Sequence, residues 1–64
     1  MINLTVKETV SRYHADLISR TEAITILASI QTRAAHDRDY SDTLESFKRF
    51  DNIYHAARVA RYSI

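Results

Sequence analysis

None of the 64 residues is glycine or proline, and this absence narrows the fold more than any motif in the chain. Average usage would supply roughly 4 Gly and 3 Pro at this length. Glycine provides the positive φ of tight turns, and proline punctuates loops and strand edges. A protein of many short strands joined by tight turns is hard to build without either residue. Helices linked by short polar segments need neither. The expected class is all-α.

A chain this short forms one domain, residues 1–64. It buries only about 60% of the surface that its unfolded form exposes. There is no cysteine, so disulfides and thiolate metal sites are excluded. Stability must then come from close helix packing or from another chain. Association is a physical expectation before any motif is read.

Three segments open on a capping-box pattern, in which an N-cap oxygen and a Glu three residues later satisfy each other's backbone N–H groups. They are Thr5-Val6-Lys7-Glu8, Ser19-Arg20-Thr21-Glu22 and Asp42-Thr43-Leu44-Glu45, with Ser41 as a competing N-cap in the third. The first helix is expected over about residues 6–18. Val6, Val10, Tyr13 and Leu17 give it a narrow apolar stripe, and Glu8, Arg12, Asp16 and Arg20 a ladder of alternating charge on a solvated face. The second is expected over about residues 20–36, with its isoleucines, alanines and Leu27 spread around roughly half the helical wheel. That breadth makes it the central helix, packed on both sides. Asp37 to Ser41 reads as a loop, because Asp and Ser side chains compete for backbone hydrogen bonds.

The third helix is expected over about residues 42–62, a length of ~30 Å. Phe47, Phe50, Ile53, Tyr54, Ala57 and Ala60 line one face, with Lys48, Asp51, His55 and Arg58 on the opposite one. The expected architecture is a three-helix bundle, or a helical module with a long C-terminal helix, that self-association could complete.

The sequence supplies little chemistry for catalysis. Nucleophilic catalysis needs a Ser, Thr or Cys beside a base, but the serines fall at caps and helix surfaces. Metal binding by histidine wants ligands at i and i+4 or in another tight cluster, and His14, His36 and His55 sit singly, one per expected helix. The run His36-Asp37-Arg38-Asp39 resembles a metal or phosphate site only superficially; His36 and Arg38 instead suit the carbonyl end of the second helix. No Gly-rich loop cradles phosphate. The chain reads as a non-enzyme without catalytic residues, metal or cofactor.

Net charge is +1, from nine basic and eight acidic residues, which argues against a nucleic-acid mimic and supports a nucleic-acid binder only weakly. No signal-peptide pattern is read. The apolar segment Ala23 to Ala35 is interrupted by Thr25, Ser29, Gln31, Thr32 and Arg33, so it cannot span a bilayer. A cytoplasmic protein without a membrane partner is the expectation.

Because the third helix is expected to outlast the first, its last turns should overhang a compact core. Apolar surface without intramolecular cover marks an interface, and Tyr and Arg are enriched at binding hot spots. The expected partner-binding set is therefore Ala56, Ala57, Arg58, Ala60, Arg61 and Tyr62. The functional reading is a small regulator, inhibitor or adaptor, in the manner of bacterial, phage or plasmid accessory proteins. It docks a helical face on a larger protein and self-associates, with a dimer as the expected stoichiometry. The alternative is a small nucleic-acid-binding regulator contacting phosphates through Lys48, Arg49, Arg58 and Arg61, with Tyr54, His55 and Tyr62 interleaved. Against it, Glu45 and Asp51 stand four residues before Arg49 and His55. The connection into the third helix also looks longer than a helix-turn-helix turn.

Overall fold

The structure, a computed structural model, describes residues 5–64. Among them are three helices and no strand: α1 (Val6–His14), α2 (Arg20–Asp39) and α3 (Leu44–Ser63). The all-α expectation holds.

Each helix starts where a side-chain oxygen meets an orphan amide. At α2 the capping box is complete: the Glu22 N–H donates to Ser19 Oγ at 3.1 Å, and the Ser19 N–H donates to Glu22 Oε1 at 3.2 Å. At α1 the Glu8 N–H donates to Thr5 Oγ1, while the Thr5 hydroxyl donates to the Glu8 carboxylate. The N-cap of α3 is Thr43, which accepts from the Ser46 N–H at 3.1 Å. This differs by one residue from the expected Asp42 box.

Helix α1 stops at His14, four residues short of the expected end, and the reason is local. Asp16 adopts φ 59°, the left-handed conformation normally given to glycine after a helix. The Leu17 N–H then donates to the Arg12 carbonyl at 2.9 Å and the Asp16 N–H to the Tyr13 carbonyl at 3.1 Å. This pair of bonds is the Schellman closure. In a chain without glycine, an aspartate takes the glycine's place, since Asp tolerates this region better than most residues. Leu17 consequently leaves the apolar stripe and is 71% exposed. The ladder Glu8-Arg12-Asp16-Arg20 cannot form, because Asp16 lies outside α1 and Arg20 opens α2.

Helix α2 runs on through the expected loop to Asp39. Three interactions hold that extra turn. Arg33 pairs with Asp37 across one turn at 4.0 Å, the Ser41 hydroxyl donates to the Asp37 carbonyl at 2.8 Å, and Arg38 is tied to α3. Four residues, Tyr40 to Thr43, then connect α2 to α3, a shorter link than expected.

Helices α2 and α3 are 20 residues each and make the dominant packing pair. They form an antiparallel hairpin. At the open end, the Arg20 guanidinium donates through Nε and Nη2 to the main-chain oxygen of Ile64 at 3.1 and 3.0 Å. Toward the closed end, Arg38 Nη1 meets Asp51 Oδ1 at 2.9 Å. Since α3 matches α2 in length, it does not overhang, which corrects the expectation of unpaired last turns.

Among the described residues the buried apolar ones are Ala23, Leu27, Ala34 and Ala57. Alanines let two helices approach closely, and Leu27 is the only large side chain among them. Thr9 of α1 is also fully buried, its hydroxyl donating to the Thr5 carbonyl at 2.8 Å. Helix α1 touches both other helices. At 9 residues it is only about 14 Å long against ~30 Å for each arm of the hairpin, so it covers less than half of them. The molecule measures 38 × 25 × 14 Å, a slab two helix layers thick. The expectation that α2 is packed on both sides along its length is met only in part, and Ile24 and Ala28 border an open surface on its outer side.

Candidate interaction surfaces

Where α1 leans on the last three turns of α3, the two helices leave a groove of about 780 Å³. Val10 and Tyr13 form the α1 wall, and Ala56, Val59, Ala60 and Ile64 the α3 wall, with His14, His55 and Ser63 also lining it. The apolar side chains come from both elements because the i, i+3 rows of the two helices meet there. Val59 is 65% exposed, an apolar side chain held at the wall of an apolar trough.

A second surface lies on the other side of α3. Leu44, Phe47, Asp51, Tyr54, Arg58 and Tyr62 follow a spacing of three or four residues and so share one stripe. Arg38 of α2 borders it. Its guanidinium sits 4.8 Å from the centre of the Tyr54 ring and 5.9 Å from that of Phe47. The hydrogen bond to Asp51 raises the Arg38 pKa above the usual guanidinium range, with Asp39 adding to it. His55 Nε2 stands 3.5 Å from the same Asp51 Oδ1. At the end of the stripe, Arg61 Nη2 donates to the Tyr62 hydroxyl at 3.2 Å and holds its pKa below the ordinary phenol value.

Comparison with protein families, curated proteins and solved structures finds no match to this chain. What the surfaces can do must be read from their own chemistry.

The six residues expected to bind a partner separate into three places. Ala56 and Ala60 line the groove. Ala57 is fully buried between the helices, out of a partner's reach, because the antiparallel α2 covers it. Arg58 and Tyr62 stand exposed on the opposite stripe, and Arg61 is half-buried beside Tyr62. Sequence reasoning missed the contribution of α1 to the groove. The signal was the Val10–Tyr13 pair, part of the narrow apolar stripe of the first helix.

Lys48, Arg49, Arg58 and Arg61 do not gather into one basic track. Nine residues separate Arg49 from Arg58, about half a turn around the helix, so they face opposite sides. Arg49 lies over the Phe50 ring at 5.5 Å and Arg61 over Tyr62 at 5.1 Å. Among the described residues, no group of three or more His, Asp or Glu is placed to hold a metal ion. No helix there is long and apolar enough to cross a membrane.

Proposed function

We propose that this protein is a non-enzymatic interaction module that receives an apolar helix or segment of a larger protein in the groove between α1 and α3. It would act in the cytoplasm as a regulator, inhibitor or adaptor. The observation that carries the reading is the groove itself: aliphatic side chains from two helices facing an open trough, with Val59 exposed at its wall. Exposing apolar area costs free energy unless a partner covers it. Small residues such as Ala56 and Ala60 let a partner backbone come close, and Tyr13, His14, His55 and Ser63 give a polar rim able to set register. The scattering of the basic residues around α3 favours this reading over nucleic-acid binding, which needs several phosphate contacts on one face.

The test is affinity capture from a lysate of the native host with wild-type protein, Val59→Glu, and Arg58→Glu on the far side of α3. A partner retained by wild type and Arg58→Glu and lost by Val59→Glu, at unchanged helicity, supports the groove. The reading is overturned if Val59→Glu retains the same partner as wild type, or if wild type retains none.

A further inference from the structure

Beyond the groove, we propose that a second copy of this chain occupies the opposite stripe of α3, the two α3 helices pairing antiparallel about a two-fold axis near Tyr54 and His55. The argument starts from two charges. Arg58 is exposed and has no carboxylate partner among the described residues. Asp51, seven residues earlier on the same stripe, meets Arg38 and His55 at Oδ1, and its side chain stays 31% exposed. Within one chain Asp51 and Arg58 are roughly 10 Å apart along the helix, too far for an ion pair. If a second α3 is turned end for end, the midpoint between these two residues becomes a centre of symmetry. Asp51 then faces Arg58 of the second copy, and Arg58 faces its Asp51.

That same centre brings together a second set. Phe47 and Tyr62 are equidistant from it, so Phe47 of each copy meets Tyr62 of the other. Two reciprocal ion pairs flanked by two reciprocal aromatic pairs satisfy the rule for a two-fold interface, in which residue i contacts j and j contacts i. Parallel pairing would instead set Asp51 against Asp51 and Arg58 against Arg58, which like-charge repulsion disfavours.

The area is of the right order. Leu44, Phe47 and Tyr62 are 69, 41 and 71% exposed, leaving roughly 400 Å² of mostly apolar side chain on the stripe. A standard interface buries about 800 Å² per partner, of which about 60% is apolar. Helix α1 packs against the other side of α3, and α2 borders the stripe through Arg38.

The absence of cysteine makes the test clean. Sedimentation equilibrium of wild type should show a mass rising with concentration from 7.4 kDa toward twice that value. Arg58→Glu should raise the dissociation constant by about tenfold or more while far-UV circular dichroism stays unchanged. Phe47→Cys and Tyr62→Cys, mixed and bridged with a short bismaleimide, should cross-link to each other while neither alone forms a homodimer. A wild type that remains monomeric at millimolar concentration overturns the proposal. So does an Arg58→Glu variant that associates as wild type does, or a single-cysteine variant that cross-links to itself. Partner capture by the groove is read separately, so loss of the dimer with capture intact separates the two ideas.

Discussion

Arg38 and Asp51 join the last turn of α2 to the middle of α3 at 2.9 Å, and the same guanidinium stacks on Tyr54 at 4.8 Å. One side chain thus provides both the charge contact and the aromatic contact at the closed end of the hairpin, where α1 does not reach. Arginine suits both tasks because its fork is planar and its charge weakly hydrated; lysine matches neither geometry. Arg38→Ala should lower the thermal midpoint, and Arg38→Lys should fall between it and wild type, in circular-dichroism melts at neutral pH. The raised Arg38 pKa means this contribution is complete below the ordinary guanidinium range and is lost only as pH rises through the folded value. The midpoint difference attributable to the guanidinium charge should therefore not change between mildly acidic and mildly basic buffers.

Leu27 should be the most sensitive core position. Among the described residues it is the only large apolar side chain that is fully buried, and truncating such a residue costs about 2–5 kcal/mol. A domain of this length has on the order of 3–10 kcal/mol in total, so Leu27→Ala should be largely unfolded at physiological temperature. Ala57 is buried as completely. Ala57→Leu should cost about 1–3 kcal/mol through overpacking, whereas Ala56→Leu, one residue away and exposed, should leave urea unfolding nearly unchanged.

The strain at Asp16 gives a third test. Its φ of 59° costs an ordinary L-residue about 1–2 kcal/mol, and β-branched residues suffer most. Asp16→Val should lower stability by about that amount. Asp16→Gly should raise it by up to about 1 kcal/mol, the relief of strain being partly offset by a more flexible unfolded chain. Chemical denaturation of the two variants reads the difference directly.

Gln31 presents the reverse case. Its Oε1 is buried with no hydrogen-bond partner among the described residues, and an unsatisfied buried acceptor costs about 1–3 kcal/mol. Gln31→Met keeps the length and removes the stranded oxygen, so it should stabilise the fold, by on the order of 1 kcal/mol. A lower midpoint for this variant would show that the amide is satisfied in solution.

Tyr62 should titrate ahead of an ordinary tyrosine. The hydrogen bond from Arg61, with the Arg61 and Arg58 charges, favours its phenolate. A folded-state pKa below the unfolded one adds stability only above the ordinary phenol value of about 10, and that gain is gone once pH falls through the folded value. At neutral pH the group contributes nothing of this kind. Carbon-13 NMR of labelled tyrosine should place the Tyr62 midpoint lower in wild type than in Arg61→Gln.

Much of the secondary structure could be read from the sequence because its causes are local. A missing Gly and Pro content disfavours sheets whatever the tertiary arrangement, and a Ser or Thr whose side-chain oxygen accepts from the amide N–H three residues later starts a helix with no help from elsewhere. Thus the start of α2 at Ser19 was legible, and that of α1 at Thr5. The end of α1 was local too, but its signal was an aspartate standing where glycine is expected, and apolar spacing through Leu17 masked it.

Tertiary structure decided the rest. Asp37 to Asp39 became helix because Arg38 found Asp51 and Tyr54 on another element, a gain invisible to a local window. Ala57 entered the core while Ala56 stayed exposed, since burial depends on which neighbour lies opposite, and α2 proved long enough to cover the whole of α3. The division of α3 into a groove wall on one side and a self-complementary stripe on the other follows from where α1 lands. Capping is settled within four residues of chain; burial and the faces left uncovered are settled only when separate helices meet.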